Sequence, residues 1–187
     1  IRDALLRAID SDPDLVIINA GSSAGSKDYT ADIIGEIGEI LVHGVAMMPG
    51  KPTILGTVNG KPVIGIPGYA VSAIMSFEQF AKPLLFGLQC LAPPKDRSAV
   101  VKPSMNITSR LGIEEFIRIN IGKVGDRLTA TPLPRSAGSV TTLTRAEGIM
   151  HIPAFSEGVM QDEQVNARLL VDDEELLELV AMALSEF

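Results

Sequence analysis

"IINAGSSAGSKDYT", residues 17–30, runs an apolar strand into a Gly/Ser loop and on towards a helix. The strand belongs to "LVIINA", a continuous apolar run of the kind that is buried on both faces in a parallel sheet. The end of such a strand is where α/β sheets take ligands, because free N–H groups and the dipole of the next helix favour an anion. Gly21 and Gly25 would let the backbone approach a phosphate closely, and Ser22, Ser23 and Ser26 add hydroxyl donors. Asp28 is the odd residue, since a carboxylate repels a phosphate. It reads as a helix cap, the commoner role of an Asp at a helix start, or as ligand to a divalent cation that bridges to the anion. The loop is neither a Walker loop nor G-x-G-x-x-G, so alone it is a weak signal.

Around it, residues 1 to about 92 alternate between helix and strand. "RDALLRAI" places Leu5, Leu6 and Ile9 on one helical face, closed by Ser11-Asp12-Pro13. "DYTADIIGEIGEIL" sets Ile33, Ile34, Ile37, Ile40 and Leu41 at helical spacing across Gly35 and Gly38. "TILGTVNGKPVIGIP" predicts a hairpin turned at Asn59-Gly60. "VSAIMSFEQFAKPLLFGL" predicts a further helix, bent or interrupted by Pro83. The alternation points to an α/β layer fold.

From about 93 the pattern changes. "LAPPKDRS" reads as a linker. Then come "AVVKPSM", "EFIRINIG", "LTATPLP", "SVTTLTR", "GIMHIPA" and "QVNARLLV", six short strands with no helix pattern between them and turns such as Gly125-Asp126 and Glu157-Gly158. They predict a small all-β barrel or sandwich over 93–171. "DDEELLELVAMALSEF", residues 172–187, is helical by composition, with Asp172 or Asp173 as its cap.

The chain has 187 residues, a formal charge of −7 and one cysteine. The length accommodates one large or two small domains. An acidic balance argues against nucleic acid as the main partner, though a pocket can be locally positive in a negative protein. No apolar run approaches the length of a bilayer span, and Ile1-Arg2-Asp3 lacks the pattern of a secretory signal. The single Cys90 excludes an internal disulfide, fits a reducing cytoplasm, and is expected to be buried at a helix end. His43 and His151 have no Cys or carboxylate at ligand spacing in sequence, which argues against zinc and against a Ser/His/Asp set.

Two further stretches favour anions. In "MMPGKP", residues 47–52, Pro49 and Pro52 stiffen a turn around Gly50 that presents Lys51; the bland reading is a solvated lysine on a surface turn. In "IPGYAVS", residues 66–72, Pro67 and Gly68 lead into a helix start with Ser72 in its first turn. An ordinary strand-to-helix connection explains the same residues.

The three stretches in this order resemble the molybdopterin molybdotransferase family, the MoeA proteins and the E-domain of gephyrin. The family pattern there is a strand with GG-x-S-x-G-x-x-D, then KPGKP, then LPGNPVS. "PLPRSAGSVTTLTRAEGIMHIPAFSEGV" resembles the family's C-terminal barrel, so that the resemblance covers residues 1 to about 171. It implies a three-layer α/β/α molybdopterin-binding domain, here lacking its first elements, followed by the barrel. It also implies insertion of molybdate into adenylylated molybdopterin with release of AMP, assisted by Mg2+, in a cytoplasmic homodimer. By position, Gly21 to Gly25 would cradle the pterin phosphate and Asp28 would sit at the metal or pyrophosphate. Pro49 and Gly50 would shape the turn from which Lys51 holds an oxyanion, while Pro67, Gly68 and Ser72 would shape the molybdate pocket.

The departures bear on chemistry. Ala20 replaces the first Gly of the loop, Met48 stands where a lysine is usual, and Tyr69-Ala70 replace Asn-Pro. Loss of a cation beside a doubly negative oxyanion weakens insertion more than pterin binding. A pterin-binding module that has lost the insertion step, and a scaffold that only dimerises, are therefore the alternative readings.

Overall fold

The computed structural model describes residues 1–19 and 29–170. The calls on Gly21, Ser22, Ser23, Gly25 and Asp28, and on the acidic segment 172–187, lie outside the described residues. The chain divides into two compact units between Pro93 and Pro94.

The first unit is built on a four-stranded mixed sheet. Its elements are α1 (Arg2–Asp10), β1 (Val16–Asn19), α2 (Tyr29–Ile37), β2 (Glu39–His43), the extended pair β3 (Met47–Met48), β4 (Ile54–Val58), β5 (Lys61–Ile66), α3 (Ala70–Ser76) and α4 (Lys82–Leu88). The sheet order is β1-β5-β4-β2, with β1 parallel to β5 and the other pairs antiparallel. Alternation along the strands sends side chains to two cores. Ile54, Val58 and Val63 pack with Leu5 and Ile9 of α1 and Ala31 and Ile34 of α2. Leu55, Ile64 and Ile66 pack on the other face with Ala73, Phe80, Ala81 and Leu84. The layers are thus α/β/α.

The hairpin turns at Asn59-Gly60, with φ of 50° and 76°, the left-handed pair that a tight two-residue turn requires. Before Pro83 the helix loosens into a π-helical turn, Phe77–Ala81, and resumes as α4. Proline has no N–H to give the carbonyl four residues back, so the regular ladder breaks there.

Three expectations for this unit need correction. β1 is not buried on both faces: Val16 and Ile18 pack against the first core, while Ile17 and Asn19, on the opposite face, are exposed. Helix α2 stops at Ile37, and Ile40 and Leu41 lie in β2. Gly38 makes the turn possible, since a Cβ there would stand 2.0 Å from the Thr57 carbonyl oxygen. Cys90 is exposed rather than buried. It occupies the left-handed position (φ 55°) that ends α4, where Cys90 N–H donates to Gly87 O and Leu91 N–H to Phe86 O.

The second unit is a barrel of β6 (Ser98–Pro103), β8 (Glu114–Val124), β9 (Arg127–Pro132), β10 (Gly148–Ile152) and β12 (Val165–Leu169). The ring runs β10-β12-β6-β9-β8 and closes by pairing β8 with β10. Val101, Ile117, Ile119, Leu128, Met150, Ile152 and Ala167 fill it. Two short strands, β7 (Ile107–Thr108) and β11 (Gly158–Val159), pair beside it. "SVTTLTR" is not a strand but the helix α5 (Val140–Arg145). Within it Thr142 Oγ1 donates back to Ser139 O, which also accepts from Thr142 N–H, and Thr144 Oγ1 donates back to Thr141 O.

Candidate functional site

The end of the first unit's sheet gathers the segments that the sequence singles out. Asn19 at the end of β1 pairs with Ile66 at the end of β5, and Gly65 pairs with Ile54 at the start of β4. The chain therefore leaves β1 towards the Gly/Ser loop, leaves β5 through Pro67-Gly68, and enters β4 from the Pro49–Pro52 turn, all at the same end of the strands.

The Lys51 turn is fixed by its own backbone. Val45 N–H donates to Lys51 O at 2.8 Å, Gly44 N–H to Thr53 O at 2.9 Å, and Thr53 N–H to Gly50 O at 3.1 Å. Pro49 and Gly50 are buried and Lys51 is exposed, so a stiff base carries a cation into solvent. Gly50 has φ of 120°, and a Cβ there would come within 2.2 Å of Met47 Cε. Both backbone and space demand glycine. Met48 is exposed beside the turn.

Pro67 is buried, Gly68 is exposed, and a Cβ at Gly68 would meet nothing within 4 Å. The first intrahelical bond after it is Ala73 N–H to Tyr69 O, so the N–H groups of Ala70, Val71 and Ser72 precede the ladder. Ser72 is buried, and its carbonyl accepts from Ser76 Oγ at 2.8 Å. Tyr69, exposed, caps the helix without a side-chain hydrogen bond.

Two residues that the sequence reading passed over join these segments. Thr53 Oγ1 lies 2.6 Å from Gly50 O and 2.6 Å from Ser76 Oγ; both residues are fully buried. The sequence signal was available: Ser72 and Ser76 fall one helical turn apart, and Thr53 immediately follows the Gly-Lys-Pro turn.

A cavity of about 460 Å³ lies elsewhere in the unit, lined by Ala31, Asp32, Gly35, Glu36, Ile40 and His43. Its two carboxylates make it unsuited to an oxyanion. Among the described residues no group of three or more His, Cys, Asp or Glu side chains is placed to hold a metal ion. No helix among them is long and apolar enough to cross a membrane.

In the barrel, burial lowers the pKa of the Arg118 guanidinium from its ordinary value. Its Nη2 donates to Pro134 O at 2.6 Å and Ser136 O at 3.3 Å, which holds the loop after β9. His151, distant from carboxylates in sequence, pairs in space with Glu114 and stacks on Phe116 at 4.9 Å.

Comparison with known proteins agrees with this architecture. Residues 1–87 match the family described as "Probable molybdopterin binding domain", and residues 101–170 match "MoeA C-terminal region (domain IV)". Molybdopterin molybdenumtransferase 2 of Mycobacterium tuberculosis is 34% identical over 164 residues, which span 80% of this chain and 38% of that protein. A molybdopterin biosynthesis protein of Methanocaldococcus jannaschii is 30% identical over 160 residues, spanning 86% of this chain and 37% of its own length. Crystal structures of the MoeA protein of Pyrococcus horikoshii superpose with TM-scores of 0.68 and 0.67, at 34% and 25% identity, over 39% of their chains. The chain thus spans about two fifths of the length of these relatives. With an α/β/α unit that matches the probable molybdopterin binding domain, followed by a barrel that matches domain IV, the chain belongs to the MoeA family and corresponds to its C-terminal portion.

Proposed function

We propose that this chain forms the substrate-holding part of a molybdopterin molybdotransferase. It binds adenylylated molybdopterin while molybdate joins the dithiolene sulfurs and AMP leaves. One observation carries the reading: the three anion-favouring segments adjoin the same end of adjacent strands, at Asn19 of β1, Ile66 of β5 and Ile54 of β4. In this reading the loop from Gly21 to Gly25 cradles the pterin phosphate, Lys51 neutralises an oxyanion from its rigid turn, and the N–H groups after Gly68 add donors. Pro49, Gly50, Pro67 and Ser72 shape the walls.

The resemblance attaches Mg2+ to this reaction, with Asp28 as its ligand. Asp28 lies outside the described residues and the described ones provide no ligand cluster, so no step is derived through the metal. Pairing of two chains into a homodimer also belongs to the proposal, and sedimentation of the full-length protein tests it.

The functional test is complementation. The full-length protein is expected to restore molybdoenzyme activity in a strain lacking its own molybdotransferase; failure to restore it, with no pterin bound, overturns the reading. Met48 favours a second reading, a module that holds pterin without inserting metal, because an exposed thioether replaces a cation beside Lys51. Met48→Lys together with Tyr69→Asn and Ala70→Pro decides: a gain of insertion supports the second reading, and no change tells against it.

A further inference from the structure

We propose that the buried hydroxyl pair Thr53–Ser76 is a positioning device that locks the Lys51 turn to the helix carrying Ser72, so that the two anion-binding elements keep one spacing. The inference rests on the molybdotransferase reading for its ligand, but the link itself stands on geometry.

Three close oxygen–oxygen contacts run in a row: Gly50 O to Thr53 Oγ1 at 2.6 Å, Thr53 Oγ1 to Ser76 Oγ at 2.6 Å, and Ser76 Oγ to Ser72 O at 2.8 Å. Two hydroxyls supply two protons, so one contact in three is without a proton at any moment. If both hydroxyls donated outward to the carbonyls, two lone pairs would face each other across the central contact. The favourable arrangements are the two in which the protons run in one direction. In one, Ser76 donates to Thr53 and Thr53 to Gly50 O. In the other, Thr53 donates to Ser76 and Ser76 to Ser72 O. The central bond is present in both. It joins a loop to a helix 23 residues later, and neither side chain touches solvent.

The pair is not needed to satisfy the backbone. Without the Thr53 hydroxyl, Gly50 O still accepts from the residue 53 N–H at 3.1 Å, and Ser76 Oγ still donates to Ser72 O. No buried group is orphaned, so the unit folds without the link. What is lost is the tie between turn and helix, in a region where buried polar bonds are strong because water is absent. Gly50 belongs to the same contact, since a Cβ there would stand 3.1 Å from Ser76 Oγ.

The test separates hydroxyl from shape. In the full-length protein, Thr53→Val keeps volume and removes the hydroxyl, whereas Thr53→Ser keeps the hydroxyl and removes a buried methyl. Ser76→Ala removes the other partner. The readouts are retention of molybdopterin, the molybdate concentration for half-maximal insertion, the melting midpoint, and hydrogen exchange at the amides of Gly50, Lys51 and Thr53. Thr53→Val and Ser76→Ala are expected to weaken molybdate about threefold to tenfold, the span of one neutral hydrogen bond. They also speed exchange at the turn, and the double variant is no worse than either single one. Thr53→Ser is expected to bind as the parent does although its melting midpoint falls. Binding that follows the melting midpoint, or turn exchange unchanged in Thr53→Val, overturns the proposal. Lys51→Ala is the control. If Lys51→Ala loses molybdate and Thr53→Val does not, the positioning role fails alone. If the parent binds neither ligand, the molybdotransferase reading fails and the positioning role falls with it, while the exchange data still report whether the link exists.

Discussion

Arg135 Nη1 lies 3.2 Å from Glu115 Oε2, and its Nη2 donates to the Thr108 carbonyl at 2.9 Å. Glu115 is buried in the wall of the barrel while the arginine is half exposed, so the pair is an inside carboxylate tethered by an outside cation. Removing Arg135 strands a buried charge and frees the Thr108 carbonyl of β7. Screening of the exposed arginine reduces the loss, so that Arg135→Ala is expected to cost about 1–2 kcal/mol. Thermal or urea melts check it, and an unchanged midpoint would mean that water reaches Glu115.

The Glu114–His151 contact sets an acid limit. The hydrogen bond from His151, then the Ala154 N–H and the imidazolium charge, lower the Glu114 pKa against an opposing burial effect from the usual 4.5. A carboxylate depressed on folding stabilises the fold fully above its ordinary value and loses that contribution as pH falls through the lower folded value. The barrel is therefore expected to weaken below about pH 4.5. Glu114→Gln should flatten that part of the curve, as melts along a pH series would record. A parallel curve in the variant would assign the acid limit to other groups.

Two glycines with positive φ make a matched comparison. Gly60, at 76°, faces open space, so Gly60→Ala is expected to cost about 1 kcal/mol for its left-handed backbone alone. Gly50, at 120°, also meets Met47 and Ser76, and Gly50→Ala is expected to cost about 2–3 kcal/mol. Equal costs would show that the Met47 side chain yields freely.

Gly68→Ala meets no atom within 4 Å and keeps an ordinary backbone, so stability is expected to be unchanged. Lys51→Ala, on an exposed side chain, should also leave the melting midpoint within about 0.5 kcal/mol of the parent. Both are expected to weaken oxyanion binding, which calorimetry with molybdate reads. A fall in stability with no fall in binding would reverse the assignment.

Where local chemistry was decisive, the fold was legible in the sequence. Asn59-Gly60 fixed a hairpin because few dipeptides supply two left-handed residues, and Pro83 marked a break because it lacks an N–H. The errors came where tertiary contact overrode a local pattern. Ile40 and Leu41 kept a helical period, yet the chain had turned at Gly38 against β4. Val140 to Thr144 carried strand-forming residues, yet they form the helix α5, their local propensity overridden by their place in the barrel unit. The candidate loops were proposed from Gly, Pro and Lys. Thr53 and Ser76 left only a trace, a Thr after the Gly-Lys-Pro turn and a Ser one helical turn after Ser72, and their contact across 23 residues forms only in the folded unit.

The most direct test is pterin occupancy. The full-length protein is incubated with molybdopterin and freed of unbound material, and the retained pterin is oxidised and read by fluorescence, beside Gly25→Val and Lys51→Ala. The account predicts stoichiometric pterin in the parent, loss in Gly25→Val, and pterin retained in Lys51→Ala with weakened molybdate. Absence of pterin from the parent, or equal retention with equal molybdate affinity in all three, would contradict it.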